Sequence, residues 1–432
     1  MRLIKGFVYA AVVAALSAAG GCGGSNKDKP GDDAGIDAMT MPDAPLPGLV
    51  TVSFRRDGEG VVGARVGFLD ATGALLSFTA TDANGEASAT MLPGGTVIVA
   101  PAISQGFQYV YAWVAVEPGD TLNIHHGAAP VTATNSVTFT IPTGDGSSYY
   151  GVRTSCSGGA VDTTPARTLP VDASCSQVDV YGWREDTTNY TFEGAIYKKG
   201  VAVSDGAAID LTAEPVRNQT STALQVTGIP AGVTSLFGAG MLLDGGFDLR
   251  EYFEASGTPA SGAATVTASL PGIPEVQMLS LIGFDDGDDA EVRAFQRGSV
   301  GPTSFALTGS LLPFVTDVSY DRATRAATWT GVGGDRGADA VFVDIEQLTH
   351  AWLILGPLPP AGVPFTLPAL PAELADLAFD ASQIEAEVSL LVAPGGHDAL
   401  RSRIFTIEND YELATTEGIV VRSTGQFDEV LD

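Results

Sequence analysis

The chain is short of cations, of imidazole and of sulfur, and each shortage excludes a class of function. Its 432 residues carry 22 Lys and Arg against 51 Asp and Glu, a formal net charge of −29. Such an excess repels phosphate backbones and offers no basic patch to anionic lipid headgroups, so nucleic acid is excluded as a partner. Charged residues are only 17% of the chain and hydrophobic residues 45%, so the acidity reflects scarce Lys and Arg rather than acidic tails. A chain of that composition can bury a core. The histidines number four, His125, His126, His350 and His397, with no His-Glu-x-x-His spacing to make a zinc protease. There is no Gly-x-Ser-x-Gly for a nucleophile elbow and no Gly-rich phosphate loop with its Lys, and no cofactor is indicated.

The single long apolar run lies at the start. Arg2 and Lys5 precede a small apolar stretch from Gly6 to Ala19, and Ala19-Gly20-Gly21 leads into Cys22. A basic start, a short apolar stretch and a small-residue cleavage site describe a secretory signal peptide over residues 1–21. The run is too short for a membrane span, which needs about 20 residues. A cysteine straight after the cut resembles the lipobox of bacterial lipoproteins, although Ala19 stands where that family usually carries Leu. The resemblance implies a lipid on Cys22. Gly23, in place of the Asp of inner-membrane retention, implies the outer membrane. One acyl chain binds reversibly, whereas two or more hold firmly.

Residues 22–48 are rich in Asp and Pro and hold almost nothing that forms a core, so they read as a disordered tether. With Cys22 assigned to lipid, Cys156 and Cys175 remain close together in a β-rich region. In an oxidising compartment they are expected to pair as a disulfide.

From Leu49 the pattern becomes short strands, Val50–Phe54, Ala64–Leu69 and Leu75–Ala80, separated by Asp-Gly and Asn-Gly turns. At 432 residues several domains are expected, and the fold class is all-β, tandem β-sandwiches after the tether. The divisions fall at 49–129, 130–214, 215–308 and 309–432. The order Gly63-Ala64-Arg65-Val66, then Thr81-Asp82-Ala83-Asn84-Gly85, then Leu92-Pro93-Gly94-Gly95 resembles the carboxypeptidase regulatory-like domain, a transthyretin-like β-sandwich. That resemblance implies an accessory module for residues 49–129, without a catalytic site.

A faint repeat links the middle two divisions. Val180-Tyr181-Gly182-Trp183 echoes Leu281-Ile282-Gly283-Phe284, and each is followed by a strand ending in basic residues and glycine, at Gly200 and Gly298. In the last division Tyr320 before a turn and Trp329 in the next strand resemble the opening of a fibronectin-type or immunoglobulin-type sandwich. Glu373–Leu377 is the one helix-like stretch outside the leader, and Val388–Val392 and Ile404–Ile407 read as strands.

Candidate sites are few. Adjacent His125 and His126 in a strand point to opposite faces and cannot share one metal, and a surface position is expected for both. The cluster Asp285, Asp286, Asp288 and Asp289 is a weak calcium candidate, but it misses the EF-hand spacing and reads mainly as a solvated hairpin tip. The four tryptophans, Trp113, Trp183, Trp329 and Trp352, are expected in sandwich cores, with Trp183 the exception because Arg184, Glu185 and Asp186 follow it. The reading is therefore a lipid-anchored cell-envelope protein, periplasmic or surface-displayed, with a structural, adhesive or binding role and no catalytic activity. Its partners are the membrane through the anchor, and envelope proteins or extracellular glycans. The alternative is a carbohydrate- or peptide-binding module or a hydrolase whose site forms between modules.

Overall fold

The computed structural model describes residues 46–101, 107–126, 133–144, 146–229, 233–244, 247–285, 290–301, 303–306, 311–333, 337–379, 383–405 and 421–428. The leader, Cys22 and all but the last residues of the tether lie outside them. The described chain is all-β, with one short 3-10 helix and one short α-helix.

The first unit comprises β1 (Gly48–Arg56), β2 (Glu59–Gly60), β3 (Arg65–Leu69), β4 (Leu75–Ala80), β5 (Glu86–Met91), β6 (Gly95–Ala100), β7 (Gln108–Val116) and β8 (Thr121–His126). Its strands β4-β3-β6-β7 lie side by side. Against them packs a smaller sheet in which β1 pairs with β5 antiparallel and with β8 parallel. Glycine is required at the Asn84-Gly85 turn. Gly85 has φ +77, and a Cβ there would stand 2.2 Å from the Phe54 carbonyl oxygen.

The same order recurs. The second unit has β9 (Thr134–Thr140), β10 (Ser148–Thr154), β11 (Ser157–Asp162), β12 (Ala166–Asp172), β13 (Gln177–Asp186), β14 (Phe192–Ala202) and β15 (Ala208–Asp210). Here β11-β10-β13-β14 faces β12-β9-β15, with β9 and β15 parallel. The third unit has β16 (Gln219–Thr227), β17 (Ser235–Asp244), β18 (Phe247–Gly257), β19 (Ala263–Pro271), β20 (Gln277–Asp285), β21 (Glu291–Ser299) and β22 (Thr303–Ala306). It repeats the pairing strand for strand, β18-β17-β20-β21 over β19-β16-β22. The echoed sequences at 180–183 and 281–284 fall on the corresponding strands β13 and β20.

The fourth unit has β23 (Phe314–Asp321), β24 (Ala326–Val332), β25 (Ala340–Glu346), β26 (His350–Pro357), β27 (Phe365–Thr366), a 3-10 helix (Ala372–Leu377), β28 (Glu385–Val392), α1 (Gly396–Arg401) and β29 (Val421–Asp428). Its large sheet, β26-β25-β28-β29, follows the order of the others. Its small sheet is β23-β24-β27, with β23 antiparallel to β24 on the side where the other units place their final parallel strand. The helix-like stretch expected at Glu373–Leu377 is this 3-10 helix. The strand expected at Ile404–Ile407 is not formed where described: α1 precedes it, and Phe405 makes a single parallel bridge to Ile124.

The large sheets of units three, four and one are fused edge to edge. β21 pairs antiparallel with β29, and β26 pairs parallel with β7, giving one twelve-stranded sheet in the order β18-β17-β20-β21-β29-β28-β25-β26-β7-β6-β3-β4. The units therefore do not follow one another in space in chain order, because the fourth sits between the third and the first. Unit two keeps a sheet of its own and leans on unit three, where Lys199 and Tyr197 both reach the Asp244 carboxylate. Fusion converts four exposed strand edges into ladder, the backbone groups of which would otherwise be templates for aggregation.

The units use opposite faces of this sheet. Val50, Val52, Phe54, Leu122 and Ile124 of unit one's small sheet join the cluster on what we term the front face, with Val66, Val97, Tyr111 and Trp113. The small sheets of units three and four cover the back face through Leu224, Val226, Val315 and Ala327. Behind unit one, the 3-10 helix supplies Leu374 and Leu377 to the cluster that holds Ile98 and Val110. Strand β6 is thus covered on both sides and buried at all six positions, and its unbroken Thr-Val-Ile-Val-Ala run expresses that. Each fully buried Val or Ile of this kind contributes roughly 1.5–3 kcal/mol.

Candidate ligand groove at the seam of units three and four

The small sheets of units three and four lie behind, and on the front face a polar strip along the seam strands β21, β29 and β28 lies beside apolar side chains that include Met241, Leu281 and Phe342. The period of two puts Arg422, Thr424 and Gln426 of β29 forward and sends Ser423 and Gly425 back, where Ser423 Oγ donates to the Pro313 carbonyl at 2.6 Å. On β28, Glu385, Glu387 and Ser389 come forward while Ala386, Val388 and Leu390 join the back core. On β21, Glu291 and Arg293 come forward while Val292 and Ala294 alternate behind them. Registers align these rows: Glu291 faces Thr424, Arg293 faces Arg422, and Ser389 faces Thr424.

The rows line a cavity of about 450 Å³, closed on the unit-three side by Ser235, Phe237 and Ala290. Phe237 lies flat on the sheet because its cross-strand partner is Gly283, where a Cβ would meet the ring at 2.1 Å. Glycine opposite an aromatic ring is a recurrent way of filling a sheet face. Unit two uses the same device with the roles exchanged, Gly151 beneath the Trp183 indole.

The charges of the groove are internally paired. Arg422 Nη2 sits 2.9 Å from Glu387 Oε1, and its Nε donates to Ser389 Oγ at 3.0 Å. The Arg422 guanidinium also lies over the Phe342 ring at 5.9 Å. Arg293 forks onto both carboxylate oxygens of Glu291. Beside Glu387 on the next strand is Asp344, whose Oδ1 is buried without a hydrogen-bond partner. Burial, with the Glu346 and Glu387 carboxylates, pushes its pKa well above the ordinary 3.8, against the opposing pull of Arg422.

The residues singled out from sequence lie elsewhere. Cys156 and Cys175 form a disulfide in unit two, 19 positions apart. Cys22, Asp286, Asp288 and Asp289 lie outside the described residues, and Asp285 ends β20. His125 and His126 alternate on β8 as expected, but they are half-buried rather than on the surface. His126 Nε2 meets the Tyr111 hydroxyl, and burial lowers the pKa of both imidazoles. The cause is the segment after α1, where His125 N–H donates to the Phe405 carbonyl at 3.0 Å. His350 is buried and stacks on Phe379, and His397 lies in α1 beside Arg401. Trp183, expected to be the exposed indole, is 7% exposed because it lies across Gly151. Trp113 and Trp352 are buried and Trp329 is half-buried.

Sequence reasoning missed the groove. Its side chains come from β17, β21, β28 and β29, almost 200 residues apart at the extremes, and no linear motif joins them. A signal was present in the alternations Glu-Ala-Glu-Val-Ser at 385–389 and Arg-Ser-Thr-Gly-Gln at 422–426.

No protein-family model matches the chain, and no curated protein matches it. Among solved structures it is similar to the Bacillus anthracis TIE protein at 11% identity, over 60% of this chain and 50% of that one, with a TM-score of 0.16. This chain therefore spans about half the length of that protein. BcpA, the major pilin subunit of Bacillus cereus, is similar at 9% identity over 60% of this chain and 98% of its own, with a TM-score of 0.16. A streptococcal ancillary pilin is similar at 9% identity over 73% and 100%, also with a TM-score of 0.16.

Proposed function

We propose that this chain is a lipid-anchored protein of the outer membrane whose folded part is a rigid β scaffold with a structural or binding role rather than a catalytic one. The observation that carries the scaffold reading is the twelve-stranded sheet, which locks three units into one body and sets their loops and the groove at fixed separations. A ladder across both seams resists the hinge motion expected of domains joined only by linkers. The acidic, Pro-rich stretch after Cys22 would hold that body away from the bilayer, with residues in extended polyproline geometry spanning about 3 Å each. Palmitate labelling of whole cells tests the anchor: label on the wild-type chain and none on Cys22→Ala is the expected result. Label on both, or on neither, overturns it. Protease shaving of the same cells distinguishes surface display from a periplasmic address.

One feature favours the hydrolase reading. Asp344 and Glu387 are cross-strand neighbours, the first pushed towards its neutral form and the second ion-paired with Arg422 at 2.9 Å, an arrangement of the kind a general acid and its partner carboxylate use. Hydrolysis of aryl glycosides, abolished by Glu387→Gln, would establish that reading over the binding one.

A further inference from the structure

We propose that the groove between units three and four is a binding site for neutral, hydroxyl-rich carbohydrate. The proposal deepens the binding reading above and rests on it.

Three properties of the groove select this chemistry. The first is charge. Glu387 is satisfied by Arg422 and Glu291 by Arg293, so the walls present fixed donors and acceptors with no unbalanced charge among those four groups. An anionic ligand would also meet the repulsion of a chain carrying −29. A cationic ligand would have to displace the guanidinium partners already in place.

The second is the floor, which is the face of a sheet and not its edge. Its backbone N–H and C=O groups are used in the ladders between β21, β29 and β28. An extended peptide, which binds by adding a strand to an open edge, finds none here. A ligand must bind through side chains, and a sugar has donors and acceptors on every side. Carboxylate and guanidinium groups on adjacent strands, spaced by about 5 Å, present the paired acceptors and donors that adjacent hydroxyls require.

The third is Phe237. Its ring is held flat over Gly283, so the side away from the sheet forms a planar apolar wall of the groove. A pyranose carries its C–H groups on its faces and its hydroxyls round the rim, which matches one apolar ring face flanked by polar side chains. At about 450 Å³ the cavity falls within the range of small-molecule sites.

The test is binding of the full-length chain to a panel of immobilised oligosaccharides, neutral, uronate-containing and sulfated. The result expected is retention by members of the neutral set, with at least a tenfold loss of affinity in Ser235→Trp. Ser235 is exposed, and an indole there fills the groove while leaving both ion pairs intact. Glu387→Gln is expected to give a similar loss, and an unchanged melting temperature in Ser235→Trp excludes misfolding as the cause. Absence of binding to every neutral member, preference for the acidic members, or binding that survives Ser235→Trp overturns the proposal. Palmitate labelling of the same chain separates the two readings: label without glycan binding removes the groove and leaves the anchored scaffold, whereas binding without label does the reverse.

Discussion

At the scale of single residues, buried polar groups show where the protein has traded stability for arrangement. Asp344 is raised by burial and by Glu346 and Glu387, so the folded chain holds a proton that the unfolded chain releases above its ordinary value of 3.8. Stability therefore falls as pH rises from 3.8 towards the raised folded value, the opposite sign to an ion-paired aspartate. Asp344→Asn removes that dependence. It is expected to melt above the wild type at neutral pH and level with it near about pH 3, where both side chains are neutral in either state. Thermal melts across that range read the difference, and parallel curves at all pH values would contradict the assignment. Arg401 makes the contrasting case. Its side chain is 6% exposed, pairs with Asp120 at 2.9 Å and donates to the Ala115 carbonyl at 3.1 Å. It ties the end of α1 to unit one. Arg401→Ala leaves the Asp120 carboxylate with the Glu117 N–H but no cation, and is expected to cost up to about 3 kcal/mol, read by chemical denaturation.

Among the elements, what the sequence showed and what it hid divide along burial. Alternation and Asp-Gly and Asn-Gly turns made β1, β3 and β4 legible. The repeat Val180–Trp183 and Leu281–Phe284 pointed to a shared strand, and both segments occupy the same place in their sheets. Trp183 reads as exposed from the charged residues after it, which say nothing about Gly151, 32 positions earlier, across which the indole lies. The groove was illegible for the same reason: Arg293 and Arg422 become neighbours only when β21 pairs with β29, and no local rule dictates that pairing. The disulfide was legible from cysteine count and spacing. It joins the turn after β10 to the turn after β12, and Cys175→Ser is expected to cost unit two about 3 kcal/mol, from loss of a loop of this length. Reductant should lower the melting temperature of the wild type and leave that of Cys175→Ser unchanged.

For the whole molecule, three repeats of one sandwich share a single sheet, while unit two keeps its own sheet and packs on unit three. Units one, three and four also share both cores: Leu69, Leu236 and Val343 belong to one cluster, and Phe68, Leu281 and Leu355 to the other. A body with continuous ladders and continuous cores is expected to open as one unit, since cooperativity follows the contacts that are lost together. The polar strip on its front face follows the seam of units three and four, along β21, β29 and β28. The most direct measurement is native-state hydrogen exchange at the two seams, in peptides covering 108–113 with 350–355 and 291–294 with 421–424. Protection equal to that of β25 and β28 inside unit four is the result this account predicts. Exchange at the seams as fast as in the open edge strand β4 would contradict it.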